Sequence, residues 1–547
     1  MKLPQRSILW GTSFRKIPIR TGFGAILLLS IFAWAPATYP GYWQALEGFI
    51  PTFNVTQANA LATVGIVPDL WRGIGQATFL LSRPFVLFGS DPTTAVRIGF
   101  ILYCLLGSLS CYSWLQPRFG DRAAGLAGVL YLFAPPLLAS IYIRGSLSDV
   151  TIIALLPLAL AGLASYRQQR SPAAAGGTVI AILWMWHAQA GLALFSLALL
   201  LAYALLVERS WLAVLIVAVS GLAGATSLAA VWPIRANAPV PFADHFVYFF
   251  QLFDQQWRSA PSIPGWQDDF PFQLGSVALL YSVLYALFAL RPRLLQQTRT
   301  APLQAEIHRL WLFGCGVIVL FTAFTLPWSA PLWQWSQADR LLTYPWQLLL
   351  LTVPFWAVTG GALPTVHQLF RKTPLWVVLL FTVVLGSYSY LRADFTQIQP
   401  PATPVAFIGL EENIVVLRAS LTENRQPHAA ELTLIWQALR PLPFDYNIFF
   451  QALERKAPPG ATSMDEQDLT VVAQLDSQPL ADGPAATAWQ PGEIFTTTYR
   501  LDLAQSTLAK SSDESQLIYY FGYYDWRDGT RLPVNQGLDD KLMLFGQ

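Results

Sequence analysis

Eleven apolar segments, each long enough to cross a lipid bilayer, run from about Thr21 to Leu391. A hydrocarbon core about 30 Å thick needs roughly 20 apolar residues per helix. Because an open sheet cannot pair its backbone groups in lipid, we expect these segments to be helices. Residues 392–547 are polar and contain no further apolar segment of this length. The sequence therefore predicts a polytopic α-helical membrane domain over residues 1–391 and a separate polar domain over residues 392–547.

The composition argues against several classes of protein. Hydrophobic residues make up 54% of the chain and charged residues 12%, against about 25% charged residues in soluble domains. Cys104, Cys111 and Cys315 all lie in apolar segments, so we expect neither a disulfide framework nor a zinc site. A net charge of +2 argues against a nucleic-acid partner. The first apolar segment lacks a small-residue cleavage site, so we interpret it as a retained helix and not as a signal peptide.

The basic residues between the apolar segments indicate the orientation of the chain. If the N-terminus is cytoplasmic, these residues fall in loops on the cytoplasmic side, as the positive-inside rule requires. They are Arg118, Arg122, Arg167, Arg170, Arg209, Arg291, Arg293, Arg299, Arg309, Arg371 and Lys372. The long loops 40–96 and 233–273 and the polar domain then lie outside. We therefore expect the functional face to be extracytoplasmic.

The polar domain has the sequence pattern of an all-β fold. Seven segments are rich in β-branched and aromatic residues, and turn-forming stretches such as Ala457–Gly460 separate them. The segments are Ile414–Leu421, Glu431–Ala438, Tyr446–Leu453, Leu469–Leu475, Phe495–Leu503, Gln516–Tyr524 and Leu542–Phe545. Seven short strands at this spacing predict a β-sandwich of the immunoglobulin-like type.

Five aromatic residues near the end of this domain have two interpretations. They would form a patch on which sugars stack, or they would fill the core of the sandwich. The residues are Tyr519, Tyr520, Tyr523, Tyr524 and Trp526. Alternating aromatic residues in a strand usually fill a core, so we favour the second interpretation.

Several motifs resemble those of a known membrane family. Tyr131-Leu-Phe-Ala-Pro-Pro136, followed by Ile141-Tyr-Ile-Arg-Gly-Ser-Leu-Ser-Asp149, resembles the signature of a bacterial multi-pass family labelled 6-pyruvoyl-tetrahydropterin synthase-related. That family is akin to the YfhO-like membrane proteins and belongs to the broad GT-C glycosyltransferase superfamily. Further resemblances are Leu156-Pro157, Phe272-Gln-Leu-Gly275 and Tyr344-Pro-Trp-Gln347 in the membrane domain, and Trp489-Gln-Pro-Gly-Glu493, Gly522-Tyr-Tyr-Asp525 and Arg531-Leu-Pro533 in the sandwich.

The resemblance implies a transferase that acts at the outer face of a bacterial inner (plasma) membrane. GT-C enzymes take sugar from a polyprenyl-phosphate donor, and a carboxylate in the first outer loop acts as general base or as a metal contact. Glu47, within Gly41–Gly48, stands where the family has Asp. Burial at the interface would raise the pKa of such a carboxylate and suit it to accept a proton. The implied partners are membrane lipids, a polyprenyl-phosphate sugar, a glycan or protein acceptor and, in a non-catalytic role, a membrane complex.

Arg144 and Asp149 lie within the motif at the outer end of an apolar segment. In one interpretation, the Arg144 guanidinium holds a lipid-linked phosphate by two parallel hydrogen bonds. In the other, Arg144 is an interfacial arginine whose side chain extends toward water. Asp149 stands where the family has Glu, and it pairs with Arg144 if the loop folds back. Asp69 and Arg72 match a further element of the family, or they are a solvated surface pair.

Three more residues complete the predicted substrate and lipid-phosphate contacts. His187, flanked by tryptophans, is either a functional residue or part of an aromatic belt. Gln347 replaces an arginine of the family, which removes a phosphate contact that Arg340 would supply from nearby.

The sequence favours chemistry without a cofactor. The first loop has no paired acids that would chelate a divalent cation. The densest group of acids lies in the loop 233–273, where a metal site and an ordinary solvated loop are the two interpretations. The group consists of Asp244, His245, Asp254, Asp268 and Asp269. Its spacing matches no known ligand pattern, so we favour the solvated loop.

Two functions from other classes compete with the transferase. A catalytically degenerate scaffold would bind a lipid-linked glycan or a membrane complex, and Leu46 in place of a family histidine and Gln347 in place of an arginine favour it. A transporter would show internal repeats and broken helices, which the sequence lacks. We rank the transferase first and the scaffold second.

The predicted orientation can be tested by cysteine labelling in intact cells. We expect a Ser512→Cys variant to react with a membrane-impermeant maleimide without permeabilisation, because residues 392–547 are predicted to lie outside. The native cysteines lie in apolar segments and serve as the unlabelled background. Labelling that requires permeabilisation would reverse the predicted topology.

Overall fold

The computed structural model consists of a helical body followed by a β region. The residues that the structure describes are 20–39, 42–43, 45–46, 49–52, 54–55, 75–225, 242–254, 257–258, 260, 262–290, 301–393, 395–396, 404–409, 413–424, 428–439, 442–455, 469–481, 483–489, 492–503, 517–535, 537 and 539–545. Of the predicted site residues, Glu47, Asp69 and Arg72 lie outside these ranges.

The helical body contains long helices joined by short connections. The α-helices are α1 (Thr21–Trp34), α2 (Arg83–Leu87), α3 (Pro92–Phe119), α4 (Asp121–Leu132), α5 (Pro135–Tyr142), α6 (Leu147–Gln169), α7 (Pro172–Ala188), α8 (Ala190–Leu206), α9 (Trp211–Gly224), α10 (Ser276–Ala289), α11 (Ala301–Phe324), α12 (Ala330–Ser336), α13 (Val353–Gly361), α14 (Leu363–Val366) and α15 (Thr373–Gly386). A 3₁₀ helix, Pro345–Thr352, leads directly into α13.

Six helical stretches in the described part of the chain are long and apolar enough to cross a membrane. They are Thr21–Thr38, Pro92–Phe119, Asp121–Tyr142, Leu147–Gln169, Pro302–Phe324 and Pro345–Val366. Four further apolar helices, α8, α9, α10 and α15, are shorter. The predicted polytopic helical membrane fold is therefore confirmed. The number of eleven spans stays a prediction, because a 14-residue helix is about 21 Å long and falls short of the bilayer core on its own.

Two of these stretches, Asp121–Tyr142 and Pro345–Val366, form the centre of the body, and an 18-residue apolar segment of each is buried throughout. Glycines bring α1 against α4: a Cβ atom at Gly125 would lie 2.4 Å from Cα of Gly22. Close approach through small residues is a general way to pack helices in membranes. The Asp121 carboxylate reinforces this contact by accepting hydrogen bonds from the Gly22 amide at 2.9 Å and the Tyr112 hydroxyl at 2.7 Å.

A buried ion pair joins helix ends on the side of the body that carries the basic residues. Arg118, at the end of α3, donates from Nη2 to both carboxylate oxygens of Glu208 at 2.8 and 2.9 Å. The Glu208 side chain is fully buried, and the Tyr203 hydroxyl also donates to it. Arg118 is one of the basic residues on which the predicted orientation rests, and it therefore also takes part in helix packing.

The β region is a sandwich of two four-stranded antiparallel sheets. One sheet has the order β3-β4-β5-β8 and the other the order β10-β9-β6-β7. The strands are β3 (Ala406–Ile408), β4 (Ile414–Asn424), β5 (Ala429–Ala438), β6 (Asn447–Arg455), β7 (Leu469–Ser477), β8 (Ile494–Asp502), β9 (Ile518–Tyr524) and β10 (Leu542–Phe545). All seven predicted segments are strands, and β3 is an eighth that the sequence pattern did not reveal. The predicted β domain is therefore confirmed.

The facing sides of the two sheets form one core. Trp436 of β5 and Tyr519 of β9 are among its fully buried side chains. Along β5, core residues alternate with residues of the opposite face, as a half-buried strand requires. The outer face of the first sheet is also apolar, since Val415, Leu417 and Leu439 are buried there in a separate cluster.

The first long loop contacts both the helical body and the sandwich. The Leu46 amide donates to the carbonyl of Ile143 at 2.8 Å, just after α5. A short strand, β1 (Tyr42–Trp43), pairs antiparallel with β2 (Phe395–Thr396), which follows the last helix. Phe49 and Ile50 are buried in the apolar cluster on the outer face of the first sheet. The loop is therefore fixed between the two parts of the molecule.

Candidate functional site

Arg144 and Asp149 lie on either side of a tight turn between α5 and α6. The Arg144 amide donates to the Ala139 carbonyl at 2.8 Å, and Gly145 then adopts a φ of +67°, which glycine tolerates best. Ser146 caps α6 because its hydroxyl accepts from the Asp149 amide at 3.5 Å. The turn places Arg144 over the first turn of α6, where its guanidinium forms an ion pair with Asp149.

Both partners of this ion pair are buried. Asp149 has no exposed surface and Arg144 is 8% exposed. The positive end of the helix dipole favours a carboxylate in the first turn of α6. Breaking a buried pair by removing one partner typically costs about 3–5 kcal/mol. The expectation that the loop folds back and pairs the two residues agrees with this geometry, while their role toward a substrate stays a prediction.

Aromatic rings cover the Arg144 guanidinium. Its central carbon lies 5.1 Å from the ring centroid of Trp346 and 6.0 Å from that of Tyr344. The two rings stack on each other with centroids 5.0 Å apart, and Phe270 stacks on Trp346 at 4.5 Å. A cation over an aromatic face gains more where water is excluded. We call Arg144, Asp149, Tyr344, Trp346 and Phe270 the Arg144 site.

The Gln347 side chain is buried beside this site and binds backbone amides. The family's arginine at this position is expected to contact a phosphate. The Gln347 side-chain oxygen accepts from the amides of Thr343 and Tyr344 at 3.0 and 3.2 Å. The side chain is 1% exposed. Gln347 thereby fixes the start of the 3₁₀ helix Pro345–Thr352 and the backbone of Tyr344. A substrate contact by Gln347 stays a prediction.

Ser262 connects the Arg144 site to a buried acid. Trp346 donates from Nε1 to the Ser262 hydroxyl at 3.2 Å, and this hydroxyl donates to the Asp268 carboxylate at 2.5 Å. Nδ1 of His245 lies 3.0 Å from the same hydroxyl. When Asp268 is ionised, the hydroxyl donates its one proton to Asp268, and Nδ1 of His245 is then the donor to Ser262.

Asp268 is the titratable group of this network. Burial raises the pKa of its carboxyl to about 7, although hydrogen bonds from Ser262 and from the Phe270 amide favour the ionised form. An aspartate in an unfolded chain has a pKa of about 3.9. Asp268 therefore changes charge near neutral pH, two hydrogen bonds away from the ring that covers Arg144.

The other predicted residues lie elsewhere or outside the described residues. His187 is exposed at the C-terminal end of α7, and Arg340 is exposed in the short 3₁₀ helix Ala338–Arg340. Neither belongs to the buried Arg144 site. Glu47, Asp69 and Arg72 lie outside the described ranges, although Leu46, the residue before Glu47, is bonded to the residue before Arg144.

The acidic loop forms no metal cluster within the described residues. Among them, no three His, Cys, Asp or Glu side chains come together as ligands of one ion. Asp269 pairs instead with Arg258 at 2.6 Å, with both side chains half exposed. The Asp268 carboxylate accepts a hydrogen bond from the Ser262 hydroxyl. In this part of the loop, both acids are held by contacts within the protein.

Sequence reasoning missed two residues of the site. Trp346 lies inside the motif 344–347, but the motif gave no reason to place its ring against Arg144. Ser262 has no sequence signal, because its partners His245, Asp268 and Trp346 are reached only through the folded loop.

No family model matches the sequence, and no curated protein matches it either. Among solved structures, the chain is similar to arabinofuranosyltransferase AftD from Mycobacteria, with 14% identity and a TM-score of 0.39. That match covers 68% of this chain and 26% of the other, so this chain spans about a quarter of its length. ArnT from Cupriavidus metallidurans is similar at 15% identity and a TM-score of 0.27, covering 64% of this chain and 78% of the other.

The raised pKa of Asp268 predicts a pH dependence of stability. Between about pH 4 and pH 7 the folded protein keeps a proton that the unfolded chain has lost, so the free energy of unfolding falls as pH rises. We expect Asp268→Asn to flatten this fall. Thermal unfolding of both proteins from pH 4.5 to 8 measures it.

Asp254→Asn is the matched control, because Asp254 is an acid of the same loop but is exposed. This control should keep the slope of the wild type. Equal pH slopes for the wild type and Asp268→Asn would show that the buried carboxyl does not titrate in this range.

Proposed function

We propose that the protein is a membrane glycosyltransferase that takes sugar from a polyprenyl-phosphate-linked donor on the extracytoplasmic face. The observation that carries the proposal is the Arg144 site: a buried, ion-paired guanidinium under aromatic rings, one residue from the backbone contact with the first loop. Such a site combines a fixed cation with apolar walls. A lipid-linked phosphate has the matching chemistry of an anion on an apolar chain.

The Arg144 guanidinium is proposed to bind the phosphate of the donor. A guanidinium has five N–H donors in a planar fork, so it can engage Asp149 and a phosphate on different edges. Asp149 and the ring of Trp346 hold the fork in one orientation. Because the guanidinium is already oriented, little reorganisation is needed when the phosphate gains charge.

Glu47 is proposed as the general base. It would take the proton of an acceptor hydroxyl while the hydroxyl oxygen attacks the anomeric carbon of the donor sugar. The bond between that carbon and the phosphate oxygen breaks, and its electron pair leaves with the polyprenyl phosphate. Arg144 would stabilise the charge on this leaving group. Leu46, hydrogen-bonded to Ile143, supports the proximity of the two residues in this mechanism.

The scaffold remains the second candidate, and Gln347 favours it. Where the family has an arginine, this chain has a buried amide that caps a helix. If the phosphate needs a second arginine, the site would bind a lipid-linked glycan without transferring its sugar. In this alternative, the protein binds the same class of ligand but catalyses no sugar transfer.

The Glu47→Gln variant distinguishes the transferase from the scaffold. The substitution keeps the size of the side chain and removes the base, which typically costs about 10²–10⁴ in rate. We expect glycan products in cells to fall by this factor while the affinity for a short polyprenyl phosphate is unchanged. Unchanged products in the variant would make the scaffold the better description.

Arg144→Lys tests the phosphate contact. A lysine keeps the charge but lacks the planar fork, so we expect affinity for a short polyprenyl phosphate to fall at least about tenfold. Arg170→Lys, at an exposed arginine that follows the opposite end of α6, is the matched control and should bind as the wild type does. Equal affinity of the wild type, Arg144→Lys and Arg144→Ala would exclude a phosphate contact at this position.

A further inference from the structure

A cavity of about 380 Å³ opens among the loops at one end of the sandwich. Its walls come from the start of β6, the connection between β7 and β8, and the turn after β9. The residues that bear on its chemistry are Asp445, Asn447, Gln478, Ala486 and Trp526. This volume is within the usual range of small-molecule sites.

Trp526 differs from the other aromatic residues of this segment. Tyr519, Tyr520 and Tyr523 are buried, as the core interpretation predicted. The Trp526 side chain is 62% exposed at the cavity. A large aromatic ring that lines a cavity offers an apolar plane to a ligand.

The turn that carries Trp526 is rigid. The Arg527 side chain donates to the Asp525 carboxylate from Nε at 2.8 Å and from Nη2 at 2.5 Å. The Gly529 amide closes the turn on the Asp525 carbonyl at 2.7 Å. The Arg527 guanidinium also lies 4.0 Å from the ring centroid of Phe444. These contacts fix the backbone of the turn before a ligand arrives, which lowers the entropic cost of binding.

Polar groups line the cavity beside this ring. The Asp445 carboxylate is fixed by the amide and hydroxyl of Thr487 at 3.1 and 2.9 Å. Asn447 and Gln478 add amides, which both donate and accept hydrogen bonds. The described lining residues include no Lys or Arg, so the cavity suits a neutral ligand better than a phosphate.

We propose that this cavity binds a neutral sugar residue of a glycan. A sugar ring has an apolar face of C–H groups that stacks on the Trp526 indole. It also has an edge of hydroxyls that pairs with Asp445, Asn447 and Gln478. The Trp526 ring and the adjacent hydrogen-bond donors and acceptors together match the apolar face and the hydroxyl edge of a sugar.

The cavity lies at the end of the sandwich where the first loop packs. Strand β5 ends at Ala438 and β6 begins at Asn447, so their connection lies at this end. Leu439 of that connection packs with Phe49 and Ile50, and the Leu442 amide donates to the carbonyl of Ala486 in the cavity wall at 3.4 Å. The bound glycan is therefore assigned to the acceptor. This acceptor role rests on the proposed transferase, whereas sugar binding does not.

The test uses the full-length protein in lipid nanodiscs on an array of neutral oligosaccharides that contain hexoses, pentoses and deoxyhexoses. We expect binding of at least one glycan, whose Kd rises about tenfold or more in Trp526→Ala, because tryptophans are frequent binding hot spots. Trp526→Phe should keep Kd within about threefold, since a ring remains. Trp335→Ala, with a side chain that is 86% exposed elsewhere, is the control and should bind as the wild type does.

Absence of glycan binding by the wild type, or equal binding by Trp526→Ala, would overturn the proposal. Product formation by Glu47→Gln is measured alongside glycan binding by the Trp526 variants, so that the two proposals fail separately. Glycan binding that depends on Trp526, in a protein whose products do not depend on Glu47, would contradict the transferase and leave the sugar site in place.

Discussion

The burial of the Arg144 charge is the constraint on which the rest of the site depends. A guanidinium removed from water must be paired, or the fold loses several kcal/mol. Asp149 supplies the opposite charge, and the faces of Trp346 and Tyr344 supply the remaining cover. These partners belong to α6 and to the 3₁₀ helix Pro345–Thr352, which are far apart in the chain. The aromatic cover can form only where these elements meet, and it therefore ties the packing of the body to the Arg144 site.

The sandwich contributes to this site through the first loop. Phe49 and Ile50 are buried on the outer face of its first sheet, while Leu46 is bonded to the helical body beside Arg144. Glu47 lies between these two attachments in the chain. A mobile loop would pay an ordering cost in each reaction cycle. In the proposed transferase, the sandwich would reduce that cost even without a ligand of its own.

Local patterns allowed much of this structure to be predicted from the sequence. Apolar length predicted the helices, alternation predicted seven strands, and a motif placed Arg144 beside Asp149, five residues away. The contact between Ser262 and Trp346 spans 84 residues and depends on how an irregular loop folds, so no local pattern indicates it. Trp526 was assigned to the core with its neighbours, but β9 ends at Tyr524, and the turn beyond it no longer alternates between core and surface.

The most direct test of the account is a structure of the protein with a bound short polyprenyl phosphate. The account predicts density for the phosphate within hydrogen-bond distance of the Arg144 guanidinium, about 2.7–3.2 Å, with the lipid chain along the apolar surface of the body. It also predicts that the Glu47 carboxylate lies beside the same bound phosphate. A phosphate bound at another place, with Arg144 covered by Trp346 and Tyr344 as in the free protein, would contradict the assignment of this site.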